Sequence, residues 1–380
     1  DGTAGSMLQT TDQFYVGNGA PSTLSVTNGG QVAAYSMRIA YQSSADGSSA
    51  TIDGVGSRVS DSGTTYVGFH GDATMTISDG GALETGATAH IARNVASTSS
   101  ALVTGADSLW RVTDSDLYVG GAATPAGVGT LTVEKGGTVE VGATLKVRDT
   151  STLHVNDGGA AIADRMQIFT TGTVNTAAGS LVRVNELVGF GAHPTFGGDL
   201  QIGHSGGSAS GSHAVGAGES LTVNEYLAVG HDSVGTLAVT GGGGVSALGI
   251  TVGEAAGGDG TLSVDGATTT VACTYTLAAA WHFGTDGRID IAGGAQVSSG
   301  YGRVGYGGDG AVTVTGTGSD WTIANYLVVG EYGAASGQLD IGAKASVTCG
   351  NAYMAYDSGS QADVTVDGPG ATFTSLSSLT

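Results

Sequence analysis

Apolar residues recur along this chain in alternating runs of three to five positions, and most runs close on a glycine. The clearest phrase is apolar-x-apolar-Gly, as in Phe14-Tyr-Val-Gly17, Leu117-Tyr-Val-Gly120, Leu227-Ala-Val-Gly230, Ile250-Thr-Val-Gly253 and Leu327-Val-Val-Gly330. Degenerate copies end at Ala40, Ala92 and Ala355, and the steps from Gly17 to Ala40, Gly68, Ala92 and Gly120 are 23, 28, 24 and 28 residues. Between these markers lies a second phrase, seen in Thr23-Leu-Ser-Val-Thr-Asn-Gly-Gly30, Thr74-Met-Thr-Ile-Ser-Asp-Gly-Gly81 and Thr130-Leu-Thr-Val-Glu-Lys-Gly-Gly137. A period of two within each run predicts short strands with one buried face. Gly, Asp and Asn between the runs predict turns with positive φ. No helix start signal leads into two turns of 3.6-residue periodicity.

Two or three short strands per unit of about 25 residues cannot bury their apolar face alone, so each unit must stack on the next. The pattern predicts an all-β, right-handed parallel β-helix (a β-solenoid) of about 14 coils, a rod roughly 65 Å long at about 4.8 Å per coil. A third phrase fixes the register. Asp53-Gly54, Thr104-Gly105, Asp265-Gly266, Thr315-Gly316 and Asp367-Gly368 are each followed by a bulky residue five positions on: Val59, Trp110, Val271, Trp321 and Phe373. A position shared by Val, Phe and Trp reads as core packing, which makes Trp110 and Trp321 poor candidates for sugar-stacking platforms. Residues 1–380 read as one β-helix fragment, less regular over about 150–200, with a possible loop at 189–198 and a C-terminal end truncated where the next marker is due.

Composition narrows the function. The chain has 380 residues, 69 glycines, 33 Asp+Glu against 12 Lys+Arg, and a formal net charge of −21. Nucleic-acid binding needs a basic footprint and is excluded on that ground. Hydrophobic residues at 40% argue against disorder, and no apolar run reaches the length of a membrane-spanning helix. Cys273 and Cys349 lie about three coils apart, roughly 14 Å along the axis at about 4.8 Å per coil. That is beyond disulfide reach, so both are expected to be free and buried.

The combination of Gly-x-Gly-Ser-x-Trp, a polar spacer, Leu-x-Val-Gly and then Gly-Thr-Leu-Thr-Val-x-x-Gly-Gly resembles the repeat of passenger domains of type V secreted autotransporters. The best copy runs from Val314-Thr-Gly-Thr-Gly-Ser-Asp-Trp321 to Leu327-Val-Val-Gly330. That resemblance implies a bacterial cell-surface or extracellular passenger of the self-associating, diffuse-adherence class, exported through a separate C-terminal translocator barrel that this chain lacks. It further implies a non-catalytic adhesin in aggregation, biofilm growth or host attachment. The partners would be a second copy or a host glycan or protein, and outward Ser and Thr would be open to glycosylation.

Candidate chemistry follows from the coil register. The residue after each marker forms one column: Asn18, Tyr41, Phe69, Arg93 and Gly121, then His204, His231, Glu254, Tyr306, Glu331 and Tyr356. Aromatic and charged residues are scarce in the chain but dominate this column, which is therefore the expected interaction surface. His204, His231 and Glu254 on consecutive coils invite a zinc reading, but a metal needs converging donors and stacked side chains point parallel. No metal or other cofactor is expected. Gly203-His-Ser205-Gly-Gly207 fits a nucleophile pattern that requires a following helix, and none is predicted. Calcium binding of the repeat-in-toxin kind has one imperfect echo at 257–262, and Asp-Gly pairs elsewhere read as turns. The alternative class is a polysaccharide lyase or glycosidase on a β-helix. It needs two carboxylates flanking a cleft, and the pairs Asp114/Asp116 and Asp286/Asp290 both fall at turn-like positions. Ice binding through Thr-x-Thr ranks such as Thr74/Thr76 is interrupted by Thr236/Ala238 and Arg288/Asp290.

Overall fold

The computed structural model describes residues 6–121, 127–188, 194–204 and 211–379. Every paired strand in it runs parallel to its neighbour, and the strands build a β-solenoid of about 14 turns. Among the described residues the one helical element is a single 3-10 turn at Ser43–Ala45, and no helix is long and apolar enough to cross a membrane. The chain divides into two compact units, Asp1–Arg183 with Leu187–Phe190 and Val184–Glu186 with Gly191–Thr380.

In the early coils of the first unit there are three strands, as in Ala73–Ser78, Ala82–Thr85 and Ala89–Ile91. The first strand of each coil belongs to a seven-stranded sheet of its own, and the other two join the second sheet. Alternation decides which side chains point inward. Ala50, Met75, Ala101, Leu131 and Leu153 lie in register on successive coils, and all are 1% exposed or less. The later coils of this unit are shorter, stepping 22 residues from Thr130 to Thr152 and 21 from Thr152 to Thr173.

From Thr138–Val147 and Ala160–Ile168 in the first unit onward, the second and third strands of most coils fuse into one bent strand, as in Ser220–Val229 and Asp320–Val329 of the second unit, with a register break at the corner. Thr195–Phe196, within the stretch expected to be a loop, pairs with Thr222–Val223, and Phe196 is buried. Residues 189–193 of that stretch lie outside the described residues.

The Val/Trp position is core in both units. Val59, Leu83, Trp110 and Val139 stack in the first, and Val271, Val297, Trp321 and Val347 in the second, where the half-buried Phe373 ends the row. Both tryptophans are fully buried. Each indole N–H finds an acceptor, Thr85 Oγ1 at 3.3 Å for Trp110 and Ser299 Oγ at 3.1 Å for Trp321, as a buried polar atom must. Room for Trp321 comes from Gly302, where a Cβ would sit 2.8 Å from the indole. Cys273 and Cys349 are free and buried.

The marker residue turns each coil out of its last strand in the left-handed region. Gly253 has φ +74, and a Cβ there would lie 2.3 Å from the Asp286 carbonyl oxygen. Ala40, Ala92 and Ala355 hold the same conformation at φ 50, 59 and 52, and so does Ala280 at 59. Alanine pays a modest steric penalty there, which accounts for glycine at most copies.

Candidate interaction surface

Backbone hydrogen bonds build the column after the markers. Most post-marker N–H groups donate to the marker carbonyl one coil earlier: Tyr41 to Gly17 (2.9 Å), Phe69 to Ala40 (3.3 Å) and Arg93 to Gly68 (2.8 Å). The same link joins His231 to Gly203 (2.9 Å), Glu254 to Gly230 (3.0 Å), Tyr306 to Ala280 (3.0 Å), Glu331 to Gly305 (2.9 Å) and Tyr356 to Gly330 (2.9 Å). Trp281 belongs to this series through Gly253 (2.8 Å), although sequence reading passed over it. The signal was present: Gly253 and Gly305 are 52 residues apart, two coils, with Leu277-Ala-Ala-Ala280 between them.

In the first unit these residues close on one another. Tyr41 stacks on Phe69 at 5.1 Å and meets Tyr15 edge-on at 4.9 Å. Arg38 places its guanidinium 5.2 to 5.9 Å from the rings of Tyr15, Tyr41, Tyr66 and Phe69, a cation–π cluster of four rings. A second ladder beside the column runs Tyr15, Arg38, Tyr66, His90, Tyr118 and Lys146 in strict register. His90 lies stacked between Tyr66 and Tyr118 at 5.2 and 4.8 Å. Burial, with the cation of Arg93 adding to it, pushes its imidazole down to about 3. Lys146 ends the ladder on Asp116 and the Tyr118 hydroxyl.

In the second unit the charged members of the column pair with neighbours. His231 Nδ1 and Glu254 Oε2 are 2.6 Å apart. Glu331 is buried against Arg303, and burial raises its carboxyl pKa despite that partner. His204 is also buried, with its backbone N–H on Asn185 Oδ1 at 2.9 Å. The three residues of the zinc reading therefore include one carboxylate–imidazole pair. Among the described residues no group of three or more His, Cys, Asp or Glu side chains could hold a metal.

The exposed part of this edge is aromatic and acidic. Trp281 stacks on Tyr306 at 4.3 Å and 11°, and Tyr306 meets Tyr332 edge-on at 5.0 Å. Tyr332 and Phe283 are 40% and 59% exposed. Arg303 lies 4.8 Å from the Tyr306 centroid, 5.7 Å from Tyr326 and 5.9 Å from Trp281. Beside the rings, Asp259, Asp286 and Asp309 open three consecutive strands and pair directly across the sheet. The turn reading of these Asp-Gly pairs, and of Asp286 in particular, is corrected: each begins a strand, and the glycine that follows packs against a marker N–H and the carbonyl of the residue before a marker, where a Cβ would not fit.

The enzyme-type carboxylates are engaged elsewhere. Asp116 is held by Lys146, and Asp290 accepts from Nε and Nη2 of Arg288 at 2.7 and 2.8 Å. An open groove of about 510 Å³ in the first unit is lined by Asp61 and Glu84 among others. Asp61 accepts the N–H of Met37 and of Gly63 and the hydroxyl of Thr65, and Glu84 lies between Arg58 and Arg111. Residues 205–207 of the Gly-x-Ser-x-Gly stretch lie outside the described residues.

No model of a known protein family and no curated protein sequence matches the chain. A solved structure, the TibC-catalysed hyper-glycosylated fragment of TibA, aligns over 98% of this chain and 100% of its own at 16% identity and a TM-score of 0.39. The solenoid assignment rests on the chain's own strand register, not on that alignment.

Proposed function

We propose that the protein is a surface-exposed contact domain, an adhesin-type passenger of the autotransporter class, acting without catalysis through the side of its coils. The observation that carries this is the post-marker column. Aromatic and charged side chains recur at one position of coil after coil, and hydrogen bonds hold them in line. A linear array suits many weak contacts summed along its length. The carboxylates weighed for a polysaccharide hydrolase, Asp116, Asp290 and the groove-lining Asp61 and Glu84, are held by Lys146, Arg288, buried donors, and Arg58 with Arg111, which disfavours them as an acid–base pair.

The first unit also offers an unbroken outward column of hydroxyls: Thr23, Ser49, Thr74, Ser100, Thr130, Thr152 and Thr173. This is the face on which Ser/Thr glycosylation would fall, and intact mass of the exported protein with mapping of modified peptides tests it. The adhesin reading itself is tested with beads or cells bearing the full chain, scored for settling and for attachment to a second cell type. Attachment supports it; no settling or attachment in any condition contradicts it. At a net charge of −21, contact between two copies is repulsive, so settling that depends on self-association should strengthen with ionic strength or divalent cations.

A further inference from the structure

We infer that the post-marker edge of the second unit docks a basic polypeptide segment, its Lys or Arg side chains lying on the Asp259–Asp286–Asp309 ladder and the rings beside it. The inference rests on the contact-domain reading and names its partner.

Charge selects the partner. Of 33 carboxylates and 12 cations in the chain, the second unit carries 17 and 3, and the first carries 16 and 9. The second unit's cations are Arg288, Arg303 and Lys344; the first two are paired with Asp290 and Glu331. Asp259, Asp286 and Asp309 are exposed and directly opposite one another, about one strand spacing apart. Like charges placed this way are destabilising. Among the described residues none of the three has a Lys or Arg partner. A cationic partner removes that repulsion, whereas a second copy of the same edge adds to it.

The rings point to the same chemistry. Arg303 already sits among Trp281, Tyr306 and Tyr326 with Glu331 as its counter-ion, so this edge holds a guanidinium in an aromatic and carboxylate cradle of its own. Phe283, three residues before Asp286, and Tyr332, four residues before the strand partner of Asp309, repeat those components on the outside, and among the described residues no Lys or Arg lies over either ring. The exposed rings do not form a sugar platform. Tyr306 and Tyr332 meet at 86°, and Trp281 and Tyr306 cover each other's faces. A run of pyranoses needs successive free ring faces in one plane, while a cation needs a single ring and a carboxylate.

The test is fluorescence anisotropy of a labelled oligo-arginine peptide titrated with the full chain, alongside a neutral linear glucan. Three variants are compared: the edge triple Asp259→Asn/Asp286→Asn/Asp309→Asn, the ring pair Phe283→Ser/Tyr332→Ser, and a charge-matched triple Asp340→Asn/Asp363→Asn/Asp367→Asn away from this edge. Circular dichroism checks that each is folded. The edge triple is expected to weaken peptide binding by at least about tenfold, equivalent to roughly 1.4 kcal/mol, and the ring pair by several-fold. The charge-matched triple should change it less than about threefold. Equal losses in the two triples would reduce the effect to net charge and overturn the inference. So would glucan binding that the ring pair abolishes, or no peptide binding by the wild type. Bead settling and attachment, measured on the same variants, report on the adhesin reading separately. Attachment unaffected by the edge triple sinks the inference and leaves that reading standing, and peptide binding without any attachment does the reverse.

Discussion

The two units use one coil plan and treat its side differently. In the first, the outward positions alternate in sign or chemistry from coil to coil: Ser60, Glu84, Arg111 and Glu140 along one row, with Arg58 reaching Glu84 diagonally, and Tyr15, Arg38, Tyr66, His90, Tyr118 and Lys146 along another. Each ring or charge meets a ring or charge one coil away, although Arg38 Nε and His90 Nδ1 are buried without a hydrogen-bond partner. In the second, the row beginning each coil repeats the same charge at Asp259, Asp286 and Asp309, where the first unit has Gly47, Asp72, Thr98 and Val128. Its one carboxylate, Asp72, is engaged by the Thr98 N–H at 2.6 Å. A solenoid places every residue beside its counterpart in the next coil, so one choice per repeat decides whether an edge is closed or left open to a partner.

Several substitutions can break or sharpen this contrast. The cores should respond alike. Trp110→Ala in one unit and Trp321→Ala in the other should each cost about 3–5 kcal/mol, read from denaturant unfolding; a loss in only one would mean the shared plan stops short of the core.

Acid should act on the first unit through its closed ladder. His90 is neutral in the fold down to about pH 3 and titrates near 6.5 when unfolded. The unfolded chain therefore binds more protons in that window, and stability falls as pH drops from about 6.5 towards 3, by an amount on the order of 5 kcal/mol when complete. Asp61, whose carboxyl is raised by burial, contributes in the opposite sense, because the fold then takes up its proton first. His90→Phe keeps the stack and should remove the His90 component of the acid slope, as measured by unfolding across pH 4–7; an unchanged slope would contradict it.

Backbone geometry gives an intermediate effect. Gly253→Ala adds a Cβ 2.3 Å from the Asp286 carbonyl in a left-handed turn, and should cost about 1–3 kcal/mol. Ala280→Gly at the equivalent turn should stay within about 1 kcal/mol of wild type.

The smallest effects carry opposite signs in the two units. Asp286→Asn should raise stability by about 0.2–1 kcal/mol by relieving its like-charged neighbours. Arg111→Ala should lower it by a similar amount through loss of Glu84 and Glu140. Both changes should shrink in high salt, and thermal unfolding at two ionic strengths reads them.

How much of this was legible in the sequence depends on what leaves a local trace. The left-handed marker demands glycine, so Gly17, Gly230, Gly253 and Gly330 announce the coil period, and the column behind them follows by counting. Trp281 was hidden because alanine can hold the same turn, which removed the glycine that would have flagged it. The acidic ladder was hidden for a different reason. Asp259, Asp286 and Asp309 are 27 and 23 residues apart, and only the strand register, with its unequal turns, sets them side by side. Burial was the third blind spot: His204 and Glu331 occupy column positions, yet the coils around them cover their side chains.

The central claim is that contact is made by the open edge of the second unit. It is tested most directly by attachment of cells or beads bearing the full chain with Asp259, Asp286 and Asp309 all changed to Lys, against a variant with Asp46, Asp72 and Asp107 of the first unit changed likewise. The account predicts that attachment is lost in the first variant and retained in the second; equal attachment by the two would contradict it.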